Sequence, residues 1–210
     1  MGHRRGRSMP RCPGCGLTAA ICACGALPRL RFSTPLAIVQ HARERYKPTN
    51  TGRLLARLVE GTVVLPCGVP ERPFDPKPLE DPSIEWRVLF PREGAPVLDP
   101  GRRPGGGRRL GFVLLDGSWR QCAHMSRRLP GIVHLPVVAL PSGPPSFWTV
   151  RTQPREQGRS TFEAGMRVLE LFEGADAVSP LRRAFALVTA GMLCLKGKLP
   201  TPEIPAAWGV

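Results

Sequence analysis

Leu114-Leu115-Asp116-Gly117-Ser118-Trp119-Arg120-Gln121 places an acid, a glycine turn, a hydroxyl and an indole where an apolar run meets a helical pattern. Upstream, Leu110 to Leu115 is almost wholly apolar, which suits a strand buried on both faces of a parallel sheet. Downstream, Cys122, Met125 and Leu129 recur at helical spacing until Pro130 stops the run. The carboxyl end of a strand is where open α/β sheets bind ligands. Asp116 and Ser118 are therefore read in two ways, as site residues or as caps of the helix that follows.

Working outward, Pro35 to Gln40 reads as a first strand that ends in the polar cluster Gln40-His41-Ala42-Arg43-Glu44-Arg45-Tyr46-Lys47. Thr49-Asn50-Thr51-Gly52 then offers N-cap chemistry to a helix with Leu54, Leu55, Leu58 and Val59 inward. Thr62 to Leu65 and Trp86 to Phe90 are read as strands, the latter closed by Pro91, and Ile132 to Leu140 as another, interrupted by Pro136. The segments 66–85, 93–109 and 142–158 are read as loops, the last carrying Phe147, Trp148, Arg151 and Arg155. Ser160-Thr161-Phe162-Glu163 is a capping box, and Ser179-Pro180 is read as the start of a final helix. Short strands alternating with helices predict an α/β fold with a largely parallel sheet flanked by helices.

Thirty Lys and Arg against 16 Asp and Glu leave a formal charge of +14, which points to a polyanionic partner such as nucleic acid. The amino-terminal arginines Arg4, Arg5, Arg7 and Arg11 precede no apolar stretch of the secretory kind. The most membrane-like run, Ala186 to Leu195, has half the ~20 residues a span requires, so a soluble cytoplasmic protein is expected.

Four of the seven cysteines crowd into Cys12-x-x-Cys15-x6-Cys22-x-Cys24. In a reducing compartment that density favours structural Zn2+ held by four thiolates over disulfides. A redox Cys-x-x-Cys is the competing idea, though such motifs follow a strand and none precedes Cys12. Cys67, Cys122 and Cys194 are read as small core residues. Gly105-Gly106-Gly107 precedes a strand rather than following one, so it is a hinge and not a phosphate loop. Dinucleotide, Walker, zincin and nucleophile-elbow signatures are all missing, which sets aside those enzyme classes in their usual forms. His41, just past a strand end, is open between a structural and a functional role.

These features together resemble the DTW-domain family of RNA aminocarboxypropyltransferases. The resemblance runs in order through the four-cysteine knuckle, Gln40-His41-x-Arg43-Glu44, Thr49-Asn50-Thr51-Gly52, Phe90-Pro91, Asp116-Gly117-Ser118-Trp119 with Met125, Leu135-Pro136, Arg151, and Ser160-Thr161-x-Glu163-Ala164. Ser118 stands where the family usually has Thr, Ala42 where it has Pro, and Phe147-Trp148 where it has Tyr.

The resemblance implies a small zinc knuckle over residues 1–30 and a catalytic domain over 31–210 similar to SPOUT methyltransferases, with a knotted carboxy-terminal S-adenosylmethionine site. It implies transfer of the 3-amino-3-carboxypropyl group to N3 of a uridine in tRNA, with methylthioadenosine leaving. Asp116 is then the base; Gln40, His41, Thr51, Pro91, Ser118, Trp119, Leu135, Ser160, Thr161 and Glu163 form the donor site. Arg43, Lys47 and Arg151 meet the substrate, and Cys12, Cys15, Cys22 and Cys24 hold the metal. An RNA methyltransferase of the same fold and a non-enzymatic zinc-knuckle RNA-binding protein are the alternatives.

Overall fold

A computed structural model describes residues 9–102, 104–152 and 158–209, so Arg4, Arg5, Arg7 and Arg155 lie outside the described residues. The described residues form five strands and four α-helices. They are β1 (Leu36–His41), α1 (Thr51–Leu58), β2 (Val63–Cys67), β3 (Ile84–Leu89), β4 (Arg109–Asp116), α2 (Trp119–Arg128), β5 (Val137–Val138), α3 (Thr161–Glu173) and α4 (Ala175–Leu195). The sheet order is β2-β1-β4-β3-β5 and every neighbouring pair is parallel, so all five strands end on one edge.

The apolar run in β4 is central because both its faces are covered. Leu110, Phe112 and Leu114 join Leu36 and Ile38 under α1, α3 and α4. Val113 and Leu115 join Ala37 and Val39 on the other face, against Cys122 and Met125 of α2 and Ile132. The chain is thus a three-layer α/β/α sandwich in which alternate residues of one strand feed two cores. Phe162 of α3 stacks on Phe185 of α4 with ring centroids 4.2 Å apart, tying the last two helices together.

Two elements differ from their sequence reading. The Ile132–Leu140 strand shrinks to Val137–Val138. Backbone bonds Ile132 N–H to Leu129 carbonyl and Leu135 N–H to Ile132 carbonyl turn the chain first, which seats Ile132 fully in the core. The last helix opens at Ala175 rather than at Ser179-Pro180, because Gly174 with φ of 94° lets α3 reverse directly into α4. The early start buries Val178, and Pro180 removes only a bond to the first turn. At 21 residues α4 has the length and apolarity of a membrane span, more than the run from Ala186 alone, yet 61% of its most apolar window is buried inside this fold.

The knuckle is part of the main core. Cys15, Leu17 and Ala23 cluster with α4, and Leu17 packs on Gly191 so closely that a Cβ there would stand 2.9 Å from it.

Candidate functional site

Sheet order dictates where a cleft can open. The chain leaves β1 toward β2 on one side, and leaves β4 toward β5 on the other, so the connections diverge between β1 and β4. Gln40 and Asp116 are register partners at that divergence, on the edge where strands end. A cleft of about 660 Å³ lies there, within the range of small-molecule sites.

Asp116 is the buried polar centre of the cleft, only 4% exposed. Its Oδ2 accepts from Gln40 Nε2 at 3.0 Å and from Asn50 Nδ2 at 2.6 Å, and its Oδ1 accepts from the Thr161 hydroxyl at 2.8 Å. Strand, helix α1 and helix α3 each send one donor. The helix-cap reading of Asp116 is thereby excluded: Ser118 is the N-cap of α2, in a capping box with Gln121. Gly52, two residues past the N-cap Asn50, makes room for the carboxylate.

A second anchored acid borders the same cleft. Glu44 is 2% exposed and is gripped by Lys47 and by Arg151 Nη1, the latter at 3.0 Å, while Arg151 Nε donates to Thr49 Oγ1 at 2.8 Å. Burial alone would raise its pKa, but the Lys47 and Arg151 cations outweigh that and hold it below the usual carboxylate range. Among the described residues Arg151 Nη2, buried on the cleft wall, has no hydrogen-bond partner.

Of the residues singled out in the sequence, Asp116, Thr51, Pro91, Ser118, Trp119, Ser160, Thr161, Lys47 and Arg151 line the cleft. Trp119 packs toward Phe90 with ring centroids 6.0 Å apart. Gln40 stands behind Asp116 as a donor. Glu163 caps α3, accepting from Ser160 N–H and from the Ser146 hydroxyl. Leu135 packs into the core on the α2 side. His41 lies outside the cleft lining: its Nδ1 accepts the Arg43 amide at 3.2 Å and stands 3.2 Å from Gln121 Nε2, and its Nε2 lies beside Gly68. Burial and then the Arg43 charge lower its pKa, so the ring is neutral at pH 7.

Asn50, Glu44, Trp148 and Arg159 belong to the site or its frame and were not among the predicted site residues. Asn50 sat inside a stretch legible only as cap chemistry; nothing local marks its bond to a carboxylate 66 residues away. Cys67 and Cys122, raised by burial and by the Asp116 charge to about 11 and about 12, are protonated core thiols. Cys194 is half-buried, at the end of α4, rather than in the core.

The four knuckle sulfurs lie within 4.8 Å of one another, with Cys12–Cys24 at 3.4 Å and Cys15–Cys22 at 3.7 Å. Four ligands about 2.3 Å from a tetrahedral zinc stand about 3.8 Å apart, so the donor set is compatible with that ion. The Cys15 and Gly14 amides draw the Cys12 thiol down to about 6, and Arg57 Nη1 donates to Cys24 Sγ at 3.1 Å.

Sheet, switch point and cleft define a parallel α/β protein with its ligand site at the strand ends. The chain belongs to the DTW-domain family, whose profile matches residues 9–193. It is similar to a tRNA-uridine aminocarboxypropyltransferase 2 of Macaca fascicularis, 26% identical over 176 residues, which are 78% of this chain and 57% of that protein. A protein of the same name from Drosophila melanogaster is 28% identical over 170 residues, 78% of this chain and 66% of its own length. The chain therefore spans only 57% to 66% of the length of these curated relatives. No solved structure matches it.

Proposed function

We propose that this protein transfers the 3-amino-3-carboxypropyl group of S-adenosylmethionine to N3 of a uridine in tRNA, releasing methylthioadenosine. The name carried by both relatives supports the reaction class. The observation that carries the reading on this chain is the Asp116 carboxylate, clamped by Gln40, Asn50 and Thr161 in a cleft large enough for the donor.

The cleft fits the donor's chemistry. Its lining joins apolar Leu89, Phe90, Leu114 and Leu140 to a cationic wall in which Arg151 Nη2 has no partner among the described residues and suits a carboxylate. When bound, S-adenosylmethionine supplies an activated carbon beside a sulfonium leaving group. Asp116 has about four acceptor positions, of which three are occupied, and the remaining one takes the N3 proton as the new N–C bond forms. Because its three donors come from three packed elements, the base is held in place before substrate arrives. Trp119 and Phe90 offer a face for a base or for adenine.

The reading includes a knotted carboxy-terminal half. Its support is that Thr161, beyond the edge strand β5 in the chain, bonds Asp116 at the centre of the sheet. It also includes structural zinc on Cys12, Cys15, Cys22 and Cys24, whose four sulfurs leave no position for water or substrate. The reaction is placed in the cytoplasm, where thiols stay reduced.

Incubation with S-adenosylmethionine and unmodified tRNA should yield methylthioadenosine and an aminocarboxypropyl-uridine nucleoside by mass spectrometry. S-adenosylhomocysteine with a methylated base would instead make it an RNA methyltransferase. Failure to bind S-adenosylmethionine in calorimetry would leave an RNA-binding protein only.

A further inference from the structure

Eight of the described basic side chains are neutralised by an acid where they stand. Glu60 serves Arg29 and Arg31, Glu85 serves Arg87 and Arg108, Glu170 serves Arg167 and Arg182, and Glu44 serves Lys47 and Arg151. The outer face of α2 is different. Arg120, His124, Arg127 and Arg128 are all exposed and fall at i, i+4, i+7 and i+8, a row about 12 Å long on one side of the helix. Helix α2 and residues 129–140 contain no acidic residue at all.

The loop after β1 extends this row. His41 links the two, its Nδ1 accepting from the Arg43 amide and standing 3.2 Å from Gln121 of α2. Arg43 and Arg45 are exposed, and Tyr46 is 80% exposed with the Arg45 guanidinium 5.5 Å from its ring centroid. The one acid of the loop, Glu44, is turned inward and taken by Lys47 and Arg151. Among the described residues Arg43, Arg45, Arg120, Arg127 and Arg128 make no salt bridge.

Among the described residues the opposite rim offers no equivalent. Arg159 and Arg167 converge beside Gly143, but Glu163 and Glu170 stand among them. Positive charge left uncompensated along one face repels itself and is stabilised by a polyanion. Because Arg120 also lines the cleft, that anion must run past the cleft mouth.

We infer that the outer face of α2 and the Arg43–Tyr46 loop are the track for the sugar-phosphate backbone of the acceptor RNA, which presents its target nucleotide to the cleft across Trp119. Tyr46 provides a stacking surface for an unpaired base beside the track. The cleft's part in this inference rests on the aminocarboxypropyl-transfer reading; the backbone track does not.

The test uses the whole chain and a fluorescent, unmodified tRNA transcript, with anisotropy followed from 50 to 300 mM KCl. Arg120→Ala, Arg127→Ala and Arg128→Ala combined should weaken binding roughly 10- to 100-fold near 100 mM salt. The slope of log affinity against log salt should fall by about 2 to 3. The circular dichroism spectrum should be unchanged, S-adenosylmethionine affinity should be unchanged in the Arg127→Ala, Arg128→Ala double variant, which leaves the cleft lining intact, and the three Lys replacements should restore most binding. Arg29→Ala, Arg31→Ala and Arg72→Ala remove the same charge elsewhere and should leave the slope as it was. Equal losses in both triples would overturn the track, since net charge alone would then explain binding. Wild-type protein that ignores tRNA but binds phosphatidylserine vesicles through α2 would replace RNA with an anionic membrane. Methylthioadenosine production that is indifferent to the α2 triple sinks the track alone; α2-dependent tRNA binding without methylthioadenosine sinks the reaction alone.

Discussion

Gly52 touches Asp116 so closely that a Cβ at residue 52 would lie 2.9 Å from the carboxylate carbon and 3.0 Å from Oδ2. The position is helical, in the first turn of α1, so alanine would otherwise favour the helix by about 1 kcal/mol. Gly52→Ala should therefore leave the melting temperature within a few degrees while pushing the carboxylate off its three donors. Turnover is expected to fall roughly 10- to 100-fold. Unchanged turnover would show that the position of Asp116 does not govern the reaction.

Asp116 itself can be separated into base and anchor. Asn keeps an acceptor for the Gln40 and Asn50 amides, and the Thr161 hydroxyl can turn to accept from its amide. Asp116→Asn should fold and bind donor yet lose about 10²- to 10⁴-fold in rate. Asp116→Ala should also lose about 2–4 kcal/mol in denaturant unfolding, because two buried amides are left unpaired. Turnover of the Asn variant within a few-fold of wild type would remove Asp116 as the base.

Acid should loosen the Lys47–Glu44–Arg151 wall. The folded pKa of Glu44 lies below its ordinary value, so its contribution is complete above about pH 4.3 and is lost as pH falls through the folded value. Glu44→Gln should cost about 2 kcal/mol at pH 7 and flatten the fall of stability below pH 4.3. Parallel urea titrations of the two proteins measure this, and an identical acid slope in both would discount the network.

Metal content should be one zinc per chain and should disappear in Cys12→Ser with Cys15→Ser. The consequence should reach the cleft, since Gly16 abuts the Pro48 carbonyl, 2.6 Å from where its Cβ would stand, and Pro48 lies between the lining residues Lys47 and Thr49. Elemental analysis and donor calorimetry on the double variant are the checks. Full zinc retention would remove the assignment; zinc loss with unaltered donor affinity would confine the knuckle to stability.

What could be read from the sequence was whatever is local. The two-faced burial of β4 follows from six consecutive residues, and the Ser160–Glu163 capping box from a span of four. What stayed hidden depends on partners far along the chain. Asn50 reads as an N-cap and is one, yet its amide also holds Asp116. His41 sits one residue from Gln40 but faces the other way, because successive residues of a strand point to opposite sides. The early start of α4 escaped because Pro180 is a strong local signal, and the burial of Val178 that overrides it is a tertiary fact.

The three donors on Asp116 come from 76, 66 and 45 residues away along the chain. Each contact closes a long loop, whose entropy must be met before any of them forms, and parallel strands allow no short hairpin route. The acidic centre therefore assembles late in folding, after the sheet and both flanking helices have docked. On the aminocarboxypropyl-transfer reading, a nascent or partly unfolded chain would have no organised base and would leave its donor unconsumed, so catalytic output would double as a gauge of completed folding.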